Sequence, residues 1–269
     1  MTTGPTTALL GVGKLGEALL SGLIRSGTAP TQLVGAEKHA ERADEVAQRY
    51  GIRTAAPADA VVQADVVLLA VKPQDMTALL REVAGSLRPG TLVVSLAAGI
   101  TSGLVEQHLP EGTPVVRVMT NTPVFVDEAM SAVAAGAHAG AEHLARVEEM
   151  LGHVGKVVRV PESQLDAVTA LSGSGPAYFF YLVEAMIDAG ILLGLPRAVA
   201  AELIVQTAVG SARMLRESGE HPVVLREAVT SPGGTTISAI RVMEDRGVRA
   251  AMLAALEAAR DRSRELAGG

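Results

Sequence analysis

The stretch VTSPGGTTISAI, Val229 to Ile240, gathers Ser231, Gly233, Gly234, Thr235 and Thr236 at the start of a helical pattern. Pro232 stiffens the turn and the two glycines remove side chains. The helix that follows aims unpaired N–H groups at whatever fills the space, an arrangement suited to a small anion such as a carboxylate. A plain capped helix would need only Ser231 or Thr235 as N-cap, and three hydroxyls with two glycines exceed that need. A second cluster, LSGSGPAYFFY at 171–181, opens the longest helical run with Gly173, Ser174, Gly175 and Pro176. Its small residues serve either a close helix crossing or the lining of a pocket.

Far upstream, Gly11-Val12-Gly13-Lys14-Leu15-Gly16 fits G-x-G-x-x-G. The pattern alone is weak, but it follows an apolar strand and opens an amphipathic helix, the setting a dinucleotide-binding turn requires. Gly11 then permits the tight turn, Gly13 lets the backbone approach a pyrophosphate, and Gly16 allows close helix–sheet contact. An acidic residue about 20 positions on would bind the adenosine ribose 2′-OH, and Glu37 holds that place. Its carboxylate repels a 2′-phosphate and so favours NADH. Lys38, His39 and Arg42 follow at once and would favour NADPH by swinging onto that phosphate, so the residues leave the choice open. Three later strand ends, with Val71-Lys72-Pro73, Ala98-Gly99 and Asn121-Thr122-Pro123, outline a nicotinamide pocket at the carboxyl edge of a sheet.

The late part of the chain is also informative by what it lacks. The four lysines are Lys14, Lys38, Lys72 and Lys156, and His221 is the only histidine beyond residue 161. Oxidation of a hydroxy acid asks for a general base, usually Lys or His, beside the substrate. A protonated imine accepts hydride directly and needs only hydrogen bonding at nitrogen and a clamp on its carboxylate, which hydroxyls and backbone N–H groups provide.

The elements that must position these residues fall into two blocks. TALLG, QLVGAE, DVVLLAV, TLVVSLA, PVVRVM, AMSAVAA and GKVVRV read as strands, alternating with amphipathic stretches such as KLGEALLSGLIRSG and AERADEVAQRYG. This implies an α/β, largely parallel, doubly wound sheet over residues 1–160. Beyond Pro161 only helices are expected, giving an all-α domain over 161–269. Their apolar circumference exceeds what a small monomeric bundle buries, which points to a homo-oligomer. AYFFYLVEAMIDAGILLGL is the nearest approach to a membrane segment, but Glu184 and Asp188 stand near its middle, and it reads as a buried helix. The 269 residues carry a net charge of −6, scattered basic residues, 2% aromatics and no cysteine. That excludes disulfides and thiolate chemistry and argues against nucleic acid. With no secretory signal in view, the expected compartment is the cytoplasm and no membrane association is expected.

GVGKLG, AVKPQ, RVMTNTP, DAVTALSGSGPAY and VTSPGGTT, in this order and spacing, resemble the pyrroline-5-carboxylate reductase family over nearly the whole chain. The resemblance implies a Rossmann-type domain and a helical dimerisation domain with the active site between them, the dimers often assembling into rings. It implies reduction of 1-pyrroline-5-carboxylate to L-proline with NADPH or NADH, the last step of proline biosynthesis. No metal site is implied. Carried over by position, Ser231, Gly233, Gly234, Thr235 and Thr236 would hold the substrate carboxylate and ring nitrogen, with Thr236 the hydroxyl partner of that nitrogen. Thr169 would act beside it, and Ser174, Gly175 and Pro176 would line the same pocket. Gly11, Val12, Gly13, Lys14, Leu15, Gly16, Glu37, Lys38, Val71, Lys72, Pro73, Ala98, Gly99 and Asn121 would hold the cofactor. Thr120 stands where the family usually has proline, Ala56-Pro57 where many members have an asparagine near the ribose, and Glu37 where a neutral polar residue is common. The competing readings are a reductase of another cyclic imine or short hydroxy acid, and a non-catalytic nucleotide-sensing scaffold.

Overall fold

Successive residues of a strand point to opposite sides of its sheet, so a strand apolar at every position must be covered on both faces. The first strand, β1 (Thr7–Leu10), apolar after Thr7, behaves this way: Leu9 packs into one core, while Ala8 and Leu10 pack into another. The computed structural model describes residues 5–268. After β1 come α1 (Lys14–Arg25), β2 (Leu33–Ala36), α2 (Ala40–Tyr50), β3 (Arg53–Thr54), α3 (Pro57–Val61), β4 (Val66–Leu69) and α4 (Pro73–Val83). Then follow β5 (Leu92–Ser95), α5 (Ser102–Gln107), β6 (Val115–Met119), β7 (Ala129–Ala135), α6 (Ala141–Gly152) and β8 (Gly155–Arg159).

The strands form one sheet in the order β3-β2-β1-β4-β5-β6-β7-β8, parallel throughout except where β7 runs antiparallel to β6. Residues of α1, α2 and α6 share a core with Leu9, Leu68, Val94 and Val116; those of α3, α4 and α5 share the other with Leu10, Leu69 and Val93. The doubly wound Rossmann-type architecture is therefore as expected. Leu20 and Leu80 are fully buried, one in each core, and truncating either to alanine would cost about 2–5 kcal/mol. Within this sheet region the sequence reading omitted β3, α3 and α5, which at two, five and six residues are too short to display a period.

By compactness the first unit continues past Pro161 to Ser174 and takes back the residues from Ala259 onward. The reason is packing: α7 (Leu165–Val168) buries Leu165 against Ala132 and Ala134 of β7, and Ser263 Oγ donates to Asp166 Oδ1 at 2.7 Å. One turn of π-helix, Thr169–Gly173, ends this unit.

The second unit, Gly175–Ala258, holds α8 (Gly175–Leu192), α9 (Arg197–Ser218), α10 (Pro222–Ala228), α11 (Thr235–Asp245) and the start of α12 (Val248–Gly268). A Schellman motif ends α8: Leu195 N–H donates to Gly190 O at 3.0 Å and Gly194 N–H to Ile191 O at 2.9 Å, with Gly194 at φ +93°, a conformation glycine adopts without strain. The chain then doubles back so closely that a Cβ on Gly190 would lie 2.9 Å from the Ala200 Cβ. The expectation that α8 is a buried helix fails within one chain, where only Gly175 and Gly190 of that helix are buried. Leu192 and Leu193 are 88% and 85% exposed, and Phe179, Phe180, Leu203 and Val205 also face outward. Glu162–Leu192 and Arg197–Ser218 are each long and apolar enough to cross a membrane. An apolar surface this extensive marks an association face.

Candidate active site

Because β2, β1, β4, β5 and β6 run parallel side by side, the segments that follow them emerge along one edge. After β1, Gly11 N–H donates to Ala36 O at 2.8 Å. Gly11 has φ +94°, and a Cβ there would lie 2.8 Å from Ala70 O. A Cβ on Gly16 would fall 2.1 Å from Gly11 O, whereas one on Gly13 would meet nothing within 4 Å. Two glycines are thus required by packing, and the third opens a space. Gly13 is the N-cap of α1 and no side chain caps this helix. Its first intrahelical bond runs from Glu17 N–H to Gly13 O, so the N–H groups of Lys14, Leu15 and Gly16 remain available to an anion. That geometry fits a dinucleotide pyrophosphate.

Glu37, just beyond β2, is anchored over this loop. Its Oε2 accepts from Val12 N–H at 3.0 Å and its Oε1 from His39 N–H at 3.2 Å. Arg42 does not point to solvent. Its Nε donates to Val12 O at 3.2 Å, Nη1 to Glu45 at 2.7 Å, and Nη2 to Glu17. Glu17 also accepts from Arg49 at 2.6 Å and from the Tyr50 hydroxyl at 2.9 Å. Burial pushes the Glu17 carboxyl up, but hydrogen bonds from Arg42, Tyr50 and Arg49 and the Arg42 charge overcome it and hold the group below the usual carboxylate range. Lys14 and Lys38 are exposed.

Further along the edge, Lys72 is the N-cap of α4 and Pro73 its first residue. Lys72 and Pro73 are exposed and Val71 half-buried. Ala98 is exposed, and Gly99, at φ +75°, is covered by Leu266, whose carbonyl oxygen a Cβ would approach to 3.3 Å. Thr120 is buried and its Oγ1 accepts from Ser131 Oγ at 2.9 Å, which satisfies the hydroxyl that replaces the usual proline. Asn121 stands on the expected edge with both ends of its amide engaged. Its Oδ1 accepts from Met130 N–H at 2.9 Å and its Nδ2 donates to Ser172 O at 3.2 Å. The amide thereby fixes the π-turn. Gly173 belongs to the same fit, since a Cβ there would lie 2.4 Å from Met119 Cε. Thr169 Oγ1 donates to Leu165 O at 2.8 Å, leaving its lone pairs to accept.

At the start of α11, neither Ser231 nor Thr235 acts as cap. The N-cap is Gly234, with no side-chain cap. Gly233 has φ +70°, which the bend requires of a glycine, and a Cβ on Gly234 would fall 2.4 Å from Ser231 Oγ, so a side chain there would displace that hydroxyl. Gly234 N–H donates to Ser231 O at 3.1 Å and Ser238 N–H to Gly234 O at 3.4 Å, leaving the N–H groups of Thr235, Thr236 and Ile237 without intrahelical acceptors. Ser231 and Thr235 are exposed, and Thr236 is half-buried.

A family model described as pyrroline-5-carboxylate reductase dimerisation matches residues 162–266, and one described as NADP oxidoreductase, coenzyme F420-dependent, matches residues 6–99. A pyrroline-5-carboxylate reductase of Corynebacterium melassecola is 46% identical over 265 residues, covering 97% of this chain and 98% of its own. The chain belongs to the pyrroline-5-carboxylate reductase family. Mycobacterium tuberculosis has a relative named for the same activity that is 44% identical over 282 residues, 96% of each chain. Among solved structures, the pyrroline-5-carboxylate reductase of Coxiella burnetii superposes with a TM-score of 0.92 at 35% identity, over 97% of this chain and 98% of that one. The NADP-bound enzyme of Plasmodium falciparum gives a TM-score of 0.89 at 24% identity, over 99% and 100%, a likeness of fold.

Of the residues that the family resemblance singled out, the dinucleotide set from Gly11 to Asn121 lies along one sheet edge in the first unit. Thr169 and Ser174 belong to that unit, and Gly175, Pro176 and 231–236 to the second. Sequence reasoning missed two arrangements. One is the grip of Glu17 on Arg42, which joins side chains of two different helices. The other is the partly buried pairing of Arg117 with Glu162 at 3.1 Å, where Glu162 also accepts from Ser102 N–H at 2.7 Å and from the Ser102 hydroxyl. Burial pushes the Glu162 carboxyl up, but the hydrogen bonds from Ser102 and Arg117 outweigh it and lower it below the usual range.

Proposed function

We propose that this chain reduces 1-pyrroline-5-carboxylate to L-proline, the last step of proline biosynthesis, with NADPH or NADH as hydride donor. The observation that carries the reading is the start of α11, a helix N-terminus left open by Gly233 and Gly234 and flanked by the hydroxyls of Ser231, Thr235 and Thr236. Backbone N–H groups there bind the substrate carboxylate, and the Thr236 hydroxyl meets the ring nitrogen. Thr169, Ser174, Gly175 and Pro176 are assigned to the substrate as well, by the family resemblance. The dinucleotide, held by Gly11 to Gly16, Glu37, Lys38, Val71 to Pro73, Ala98, Gly99 and Asn121, supplies the hydride. The protein's own contribution is orientation rather than acid–base chemistry, in keeping with a helical part that has no lysine and His221 as its one histidine.

The outward apolar faces of α8 and α9 serve association with further copies of the chain, in a dimer and in a ring of dimers. Protein rather than lipid is the occupant we assign, because Glu184 and Asp188 lie within α8 and Asp188 pairs with Arg197 at 3.1 Å. The chain then works in the cytoplasm. The test is loss of reduced-nicotinamide absorbance with pyrroline-5-carboxylate, run beside piperideine-carboxylate and 3-hydroxy acids. Fastest turnover of the five-membered imine is expected. Faster turnover of either competitor, or dinucleotide binding without turnover of any, would replace the proposal with another reductase or a sensing scaffold.

A further inference from the structure

We propose that the chain selects NADH over NADPH, and that two carboxylates make the selection: Glu37 at the ribose end of the dinucleotide site, and Glu17, which withholds Arg42 from it. This rests on the dinucleotide-binding part of the reading above.

A carboxylate at the end of β2 accepts a hydrogen bond from a ribose 2′-hydroxyl and opposes a 2′-phosphate. Such a phosphate carries about −1.5 to −2 charges at pH 7. Here the carboxylate is not free to turn away. One oxygen is tied to Val12 N–H inside the glycine loop and the other to His39 N–H, so removing it from the site breaks two hydrogen bonds. To accept NADPH the chain would need a cation to offset the repulsion. Arg42 has the planar fork best suited to phosphate, yet its Nε, Nη1 and Nη2 are committed to Val12 O, Glu45 and Glu17. Glu17 is well covered, its side chain 15% exposed, and it lies one residue beyond Gly16, so Arg42 is held beside the loop and faces carboxylates. Lys38 remains exposed and offers a point charge on a flexible stem in place of the planar fork. Specificity is a difference of affinities; Glu37 sets it directly, and Glu17 by occupying the competing cation.

The test is calorimetric titration of the intact oligomeric chain with NADH and NADPH, no imine being present, and with AMP and adenosine 2′,5′-bisphosphate as probes of the ribose end alone. NADH is expected to bind at least about tenfold more tightly, and AMP more tightly than the bisphosphate, both ratios narrowing at high salt as the repulsion is screened. Glu37→Gln keeps an acceptor for Val12 N–H and should strengthen NADPH binding about tenfold while changing NADH about threefold or less. Glu17→Gln should strengthen NADPH alone, about threefold, with melting curves confirming that both variants fold. Equal or tighter binding of NADPH by the unaltered chain would overturn the proposal, as would a ratio indifferent to Glu37→Gln. Indifference to Glu17→Gln alone would remove the role given to that residue. If neither dinucleotide binds, the failure lies in the functional reading itself.

Discussion

Gly13 and Gly16 look alike in the sequence and should answer an alanine substitution in opposite ways. At Gly16 the new Cβ would stand 2.1 Å from the Gly11 carbonyl oxygen. That is a backbone atom of a loop already pressed against Ala70, so no side-chain rotation relieves the overlap, and overpacking of this kind costs about 3 kcal/mol. For a unit of this size the cost corresponds to a fall in melting temperature of about 6–12 °C. At Gly13 the backbone sits at φ −70°, ψ −164°, which alanine adopts without strain, and the new methyl meets nothing within 4 Å. Gly13→Ala should leave stability unchanged or raise it by about 0.4–1 kcal/mol through a less flexible unfolded chain. The methyl nevertheless enters the open space where the pyrophosphate is proposed to lie, and dinucleotide affinity should drop at least about tenfold, or 1.4 kcal/mol. Thermal melting paired with NADH titration reads both effects. Gly13→Ala with undiminished affinity would show that the phosphates do not approach this loop, and an unshifted melting curve for Gly16→Ala would show that the loop is not tightly closed.

Thr236→Ala should lower kcat/KM for the imine about tenfold to a hundredfold, the range for a hydrogen bond to a charged group, with melting within about 0.5 kcal/mol of the parent; unchanged kinetics would remove its assignment. Asn121→Ala strips Met130 N–H and Ser172 O of their partner and should destabilise the first unit by about 1–3 kcal/mol, detectable as faster amide exchange in residues 169–174; unaltered exchange there would refute the tie. The Glu162 carboxyl is lowered in the folded chain, so its contribution is complete above the unfolded value of about 4.3 and is lost as pH falls below it. The stability gap between the parent and Glu162→Gln should therefore be constant from pH 7 to about pH 5.5 and shrink below, and parallel melting curves down to pH 3.5 would contradict this. Leu203→Glu, on the outward face of α9, should shift light-scattering mass toward the single chain, and an unchanged mass would place the interface elsewhere.

The glycine loop could be read from sequence because its meaning lies in residue type and spacing: no side chain other than hydrogen fits where Gly11 and Gly16 stand. The doubly wound sheet was legible for a similar reason, since β4 is apolar at every position and β5 at all but Ser95, so both must be covered on both faces. Arg42 was not legible. Whether it swings onto a phosphate or lies on Glu17 depends on how α1 and α2 align, and no local pattern records that. Asn121 was placed correctly on the sheet edge, but its engagement with Met130 and Ser172 depends on how β7 and the π-turn approach it. α8 looked like core because its composition is apolar all round, and composition does not distinguish a helix covered by its own chain from one covered by another. The bend at 231–236 was visible from its glycines and hydroxyls, which exceed what a cap needs, but the residue at the N-cap was not, and the backbone assigns that position to Gly234.

The Asn121 amide also sets a boundary on redesign. Whoever rebuilds residues 169–174 must keep the main-chain carbonyl of 172 within reach of that amide, and a side chain placed at 173 would oblige the Met119 side chain to move. Widening that turn is thus a joint alteration of three separated stretches of chain, and libraries that vary the turn alone will mostly return proteins with a loosened strand end.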